Sequence, residues 1–321
     1  MIKKNKKEII VEELTRFNTP KLQQPHMFWN NKIVLVTKPK IAHSLCRKIF
    51  LGNHDVNVRW KMKELQTGFR VDPVTFKMTA ENRYTNNTPE DEKWQDEYDN
   101  DAILIWDNIL RGVDDRDLIL LYRNPYEHFL SGFVQDTLFF DDVSKGGRML
   151  EPLLRVWIDS MKDIKVGSAY KDKFINTLTQ NQASFGGFIQ LLELFPDITS
   201  RLLELLFKQH IERVLYTRGH YTRWLSFAFL LYESGRIDKS KIKFIDTYED
   251  NLFNSLDPYV DKWPDFVNDE RRQSNYKGKS PLYKVLDEMI SHNSDWTNVI
   301  EHSIETDMIA YNKIKALTND K

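Results

Sequence analysis

Four short apolar runs stand out against an otherwise polar chain: Ile33–Val36, Ala102–Trp106, Asp117–Tyr122 and Ile242–Ile245. Their length, and the β-branched residues in them, predict strands buried on both faces. Apolar residues recur at helical spacing elsewhere. A helix-compatible stretch covers about His43 to Phe50, helices follow residue 122 to about residue 210, and Ser184–Leu192 opens one of them. Tyr221–Glu233 predicts a buried helix. A final helix sets Trp296, Ile300, Ile304, Met308, Tyr311 and Ile314 in one apolar stripe. Val56–Trp60 alternates like a strand, Glu212–Tyr216 has the makeup of a short one, and the acidic, Asn-rich Thr85–Asn100 is expected to be an exposed loop. There is no internal repeat and no low-complexity segment. Short apolar strands separated by helices predict an α/β fold with a central, mostly parallel sheet flanked by helices. Any ligand is then expected beyond the strands' carboxyl ends. Residues 1–30, polar and weakly periodic, are expected to be an arm or a helix, and 31–317 a single α/β domain.

Composition narrows the classes of partner. The 321 residues carry 46 Lys and Arg against 47 Asp and Glu, a net charge of −1, which disfavours a surface that coats nucleic acid or anionic membrane. A local cationic pocket for a small anion remains compatible with that balance. Cys46 is the single cysteine, so no intrachain disulfide can form. Met1–Glu8 is basic but lacks the apolar core and cleavage site of a signal peptide, and Trp224–Tyr232 is too short to cross a bilayer. A soluble, cytoplasmic protein is the expectation. No His, Cys and Asp cluster has metal-ligand spacing; His54-Asp55 and His292–Asp295 stand isolated, as surface polar residues do.

Two strand-to-helix turns carry the candidate chemistry. In Leu118–Ser131 the strand ends at Arg123, Asn124 suits an N-cap, Pro125 the first helical position and Glu127 the third. Arg123 thus stands beside a helix N-terminus, whose free N–H groups favour an anion. Ser131 follows eight residues later, up to roughly 12 Å along a helix. The alternative is a plain helix cap with a surface salt bridge. In Ile33–Leu45, Lys38 and Lys40 flank Pro39, and His43-Ser44 open the next helix, a cationic loop with a hydroxyl at a helix start. The Gly-rich spacing of a Walker A loop is absent, which disfavours a simple nucleoside triphosphatase.

Together these turns resemble the sulfotransferases that use 3′-phosphoadenosine 5′-phosphosulfate (PAPS). Pro39-Lys40-Ile41-Ala42-His43-Ser44 is similar to the family's 5′-phosphosulfate loop, Pro-Lys-x-Gly-x-Thr/Ser, with Ala42 in place of Gly. Arg123-Asn124-Pro125 with Ser131 is similar to its 3′-phosphate motif in residue types and spacing. Ser184–Phe188 resembles the family's Phe-x-x-Phe helix start. Gly219–Trp224 followed by Ile242–Asp250 resembles a Gly-x-Tyr helix and a strand ending in Glu-Asp, and Asp307–Tyr311 resembles the closing helix of the carbohydrate-type members. The resemblance spans about 33–315, with 55–100 and 140–180 unmatched.

The resemblance implies a P-loop-kinase-like sulfotransferase fold and in-line transfer of a sulfuryl group from PAPS to a hydroxyl or amine, leaving adenosine 3′,5′-bisphosphate (PAP) without a metal. It implies Lys40 on the bridging oxygen, with Lys38 as rival. Ala42, His43 and Ser44 would line the 5′-phosphate, and Arg123 and Ser131 would hold the 3′-phosphate. Lys277-Gly278-Lys279 would form a loop closing over that phosphate, or else an exposed turn. Asp107, after the run 102–106, is the foremost candidate for the acceptor's base, with His54 and His128 as alternatives. Glu249 and Asp250 would orient the acceptor or cap a helix. The acceptor expected is hydroxylated, a glycan before others. The competing classes are a binding module that keeps the bisphosphate pocket without catalysis, and an unrelated nucleotide kinase.

Overall fold

The computed structural model describes residues 22–23, 25–38, 41–42, 46, 49–50, 68–72, 74–81, 89–134, 159, 162, 164–165, 167–180, 185–214, 224–247, 250–260, 263 and 281–319. The chain divides into two compact units, one of residues 1–125, 222–272 and 304–321, the other of 126–221 and 273–303.

The first unit is mixed α/β. Its main sheet has the order β2-β3-β6-β7, where β2 is His26–Trp29, β3 Ile33–Thr37, β6 Asp117–Tyr122 and β7 Ile242–Asp246. The strands β3, β6 and β7 run parallel, and β2 lies antiparallel on β3. All of β3 and all but the first residue of β6 are buried, as the unbroken apolar runs require of inner parallel strands. An antiparallel sheet of order β1-β4-β5 accompanies it, built of Leu22–Gln23, Gly68–Val71 and Met78–Glu81.

Within the expected arm or helix of residues 1–30, Leu22–Gln23 and His26–Trp29 are strands, while 1–21 lie outside the described residues. Asn30 makes the return possible: its Oδ1 accepts the amides of Lys32 at 2.8 Å and Ile33 at 3.0 Å, and its Nδ2 donates to the Tyr259 carbonyl at 2.9 Å. The turn is thereby tied to the sheet it serves.

A larger correction concerns Ala102–Trp106. It is helical, part of α1 (Pro89–Leu110), and 89–100 belongs to the same helix rather than to an exposed loop. The pattern of burial explains why. Ala102, Trp106 and Ile109 are buried at helical spacing while Leu104, inside the apolar run, is 59% exposed. The Trp106 indole donates to the Phe76 carbonyl at 2.7 Å. Gly112, at φ 70°, ends α1: the Val113 amide bonds to the Asn108 carbonyl and that of Gly112 to Ile109, the paired bonds of a Schellman motif.

Pro125 opens α2 (Pro125–Phe133), two residues after β6, as the cap pattern predicts. In the second unit α2 continues from Tyr126, joined by α3 (Ser168–Gln180), α4 (Phe185–Leu194), α5 (Pro196–Val214), α8 (Pro281–Ser291) and the start of α9 (Ser294–Asn319). Its core is aromatic. Phe207 meets Phe129, Phe133 and Trp296, with ring centroids 4.8–6.4 Å apart, and the Tyr126 hydroxyl donates to Asp287 at 3.0 Å. Residues 212–214, expected in a short strand, instead complete the last turn of α5.

Back in the first unit, α6 (Trp224–Glu233) is the expected buried helix; its Trp224 indole donates to the Leu121 carbonyl of β6 at 2.7 Å. The later part of α9 closes the same core, with Tyr311 edge-on to Tyr122 at 5.9 Å and Ala310 and Ile314 fully buried. The short α7 (Asp250–Leu256) follows β7. Among the described residues, no helix is long and apolar enough to cross a membrane. The expected strand at Val56–Trp60 lies outside the described residues.

Candidate functional site

The carboxyl ends of three parallel strands form one edge. Val36 pairs with Leu120, and Tyr122 with Asp246, so the segments after Thr37, Tyr122 and Asp246 leave the sheet side by side. The Thr247 amide extends the ladder to the Tyr122 carbonyl at 2.9 Å. Half-buried Arg123 stands on this edge, between Tyr122 and the first residue of α2. This is the edge at which open α/β sheets generally bind their ligands.

The turn after β3 is tightly specified. The Ile41 amide bonds to the Lys38 carbonyl at 2.9 Å, and the Thr37 hydroxyl donates to the Ile41 carbonyl. Ala42 then adopts φ 52°, in the left-handed region that glycine enters freely and alanine rarely does. Its carbonyl accepts the Cys46 amide at 2.9 Å, which starts the next segment. Cys46 is buried; desolvation pushes its thiol up, so it packs rather than reacts.

Lys38, one of the two loop lysines, points into the core and is 2% exposed. Burial lowers its ammonium to about 7, against the pull of the Asp307 carboxylate in the other direction. Asp307, on α9 and also buried, accepts the Ser226 amide at 2.9 Å and the Ser226 hydroxyl at 2.6 Å. Desolvation raises its carboxyl above the ordinary value, opposed by the two bonds from Ser226 and by Lys38.

The structure thus brings Lys38, Ala42 and Arg123 to the ends of two neighbouring strands. Ser131 is buried on α2, and so is His128. Lys40, His43, Ser44, His54, Glu249 and Lys277, Gly278 and Lys279 lie outside the described residues. Asp107 is not where the sequence put it. It sits inside α1, its carbonyl accepting the Arg111 amide at 3.0 Å, and no strand end carries it toward the sheet edge. The placement failed with the strand it depended on. Asp250 is the first residue of α7.

Two carboxylates were missed. Asp246 ends β7 in register with Tyr122, one residue before the level of Arg123; the strand length alone could have found it. Asp307 falls at core spacing from Ile300, Tyr311 and Ile314, and a charged residue on an apolar stripe needs a buried partner. Among the described residues, no group of acidic, His or Cys side chains is arranged to hold a metal ion. In comparisons with known proteins, the chain matches no family model, no curated protein and no solved structure.

Proposed function

We propose that this chain is a sulfotransferase of the PAPS-dependent kind, with a P-loop-kinase-like core, acting on a hydroxylated acceptor, a glycan before others. The observation that carries the proposal is Ala42. The PAPS loop has Gly at this position, and here the alanine adopts the left-handed φ of 52° that such a glycine serves. The loop also leaves the sheet next to Arg123, the residue of the 3′-phosphate motif, through the pairing of β3 with β6.

In the proposed reaction the acceptor oxygen attacks sulfur in line. The bond from sulfur to the bridging oxygen breaks, PAP departs with the electron pair, and the acceptor proton passes to a base. Catalysis of this kind is mostly positioning and charge neutralisation. Lys40 takes the charge that grows on the bridging oxygen, and Ser44 and the turn's amides the 5′-phosphate. Arg123 binds the 3′-phosphate. Lys38, buried in the core, is set aside as the loop cation in favour of Lys40. Asp107 is not retained as the base, since it lies within a helix.

That last observation favours a second reading, a module that binds PAP without transferring sulfate. Transfer of radiolabelled sulfate from PAPS to a panel of glycans, with PAP binding measured alongside, separates the two. The enzyme is expected to label an acceptor, with Lys40→Ala and Arg123→Ala each lowering turnover at least about 100-fold, the loss of a strong charge-assisted contact. Tight PAP binding with no labelled product supports the module. Absence of PAP binding by the wild type would sink both.

A further inference from the structure

The end of β6 is held differently on its two sides. On the β7 side the ladder runs to the last residue: Tyr122 pairs with Asp246, and the Thr247 amide donates to the Tyr122 carbonyl at 2.9 Å. On the β3 side it stops at the pair Val36–Leu120, two residues before β6 ends. Successive carbonyls of a strand point to opposite neighbours, so the Leu121 carbonyl faces the side on which the ladder has stopped. A buried carbonyl needs a donor, and this one takes it from a side chain, the Trp224 indole N–H at 2.7 Å. Leu121 and Trp224 are both buried.

Trp224 is itself anchored. It is the first residue of α6, and Ser226, two residues on, donates its amide and its hydroxyl to the buried Asp307 carboxylate of α9 at 2.9 and 2.6 Å. Those bonds serve a first helical turn, whose amides have no partner within the helix. The indole therefore ties an anchored helix end to β6, two residues before Arg123. The residue between them is packed as well: the Tyr122 ring lies edge-on to Tyr311 at 5.9 Å, and its hydroxyl is 3.3 Å from that of Thr318, both on α9. We propose that Trp224 is a positioning residue for Arg123: by closing the open side of the strand end, it fixes the backbone that presents Arg123 at the sheet edge to an anionic ligand. The identity of that anion as the 3′-phosphate of PAP rests on the sulfotransferase proposal above; the hold of Trp224 on the strand end does not.

Calorimetry with PAP and with adenosine 5′-monophosphate, which lacks the 3′-phosphate, reads the effect. Trp224→Phe keeps an aromatic ring and removes the N–H, so the Leu121 carbonyl loses its donor. It is expected to weaken PAP binding about tenfold and to leave the monophosphate unchanged. A residue that only supports the fold would move both alike. The effect should also vanish without the arginine: in the Arg123→Ala background, Trp224→Phe should cost no further PAP affinity, because it acts through that side chain. Equal losses for the two nucleotides, wild-type affinity for PAP, or additivity with Arg123→Ala each overturn the proposal. Should Trp224→Phe not fold, benzothienylalanine at position 224 keeps the shape of the indole and lacks the N–H; the same pattern is expected, and unchanged PAP affinity overturns it. Amide hydrogen exchange, which needs no ligand, separates a failure here from a failure of the sulfotransferase proposal. In Trp224→Phe the Thr247 amide, bonded to the Tyr122 carbonyl, is expected to exchange at least about tenfold faster relative to Ile119, which pairs with Leu35 and Lys243 in mid-sheet. Equal acceleration of the two amides, or none, shows that Trp224 does not hold the strand end and overturns the proposal. A wild type that binds no PAP counts against the sulfotransferase proposal, and the exchange ratio then decides the role of Trp224.

Discussion

Ala42 carries its methyl group in a backbone conformation that costs an L-residue roughly 1–2 kcal/mol and glycine almost nothing. Ala42→Gly relieves that strain and gives back about 0.4–1 kcal/mol to the freedom of the unfolded chain. A net gain of about 0.5 kcal/mol in urea unfolding is expected. Ala42→Val, β-branched, should instead lose about 1–2 kcal/mol. A Val variant as stable as the wild type would show that the turn is not held at this φ. Lys38 gives a pH signature. Its ammonium is lowered from 10.5 to about 7 in the folded chain, so between those values the unfolded chain binds more protons. Its contribution to stability is therefore complete above pH 10.5 and is lost as pH falls through 7. The urea midpoint should rise between pH 7 and 10 in the wild type, and rise less in Lys38→Met. Parallel profiles would mean that Lys38 does not titrate in this range. Asp307, shifted upward, contributes in the opposite sense, its share being lost as pH rises through its raised value.

Among the elements, α1 shows how a strand-like run becomes helical. Five apolar residues in a row fit a buried strand and a helix segment equally well. What separates them is burial at 102, 106 and 109 with Leu104 exposed, which is decided by the surfaces α1 packs against and not by the run itself. The runs in β3 and β6 were legible because each is buried on both faces, so every position is apolar and no face has to be chosen. The start of α2 was legible for a different reason: Pro125 carries local stereochemistry that needs no tertiary partner. The end of α1 is equally local. Gly112 stands at φ 70° with nothing within 4 Å of where a Cβ would be, so Gly112→Ala meets no clash and pays conformational strain alone. A loss of about 1–2 kcal/mol in thermal or urea unfolding is expected. A neutral substitution would show that the helix ends by another device.

For the molecule as a whole, the strand order matters most to function. Pairing β3 with β6 puts two turns far apart in sequence on one sheet edge, and under the sulfotransferase proposal Arg123 is there to read the 3′-phosphate. Arg123→Ala should weaken PAP binding about 10- to 100-fold and leave the binding of adenosine 5′-monophosphate, which lacks that phosphate, unchanged. Calorimetry with both nucleotides checks it, and equal losses would place Arg123 elsewhere. The strands β3, β6 and β7, the turn into α2 and the stripe of α9 follow from residues close together in the chain, because hydrophobic period and capping chemistry are local properties. The helical state of Ala102–Trp106, the burial of Lys38 and the bonds from Ser226 to Asp307 do not. A buried charge acquires its partner only when distant segments pack together, and the choice between strand and helix for a short apolar run falls to whichever surface is there to cover it.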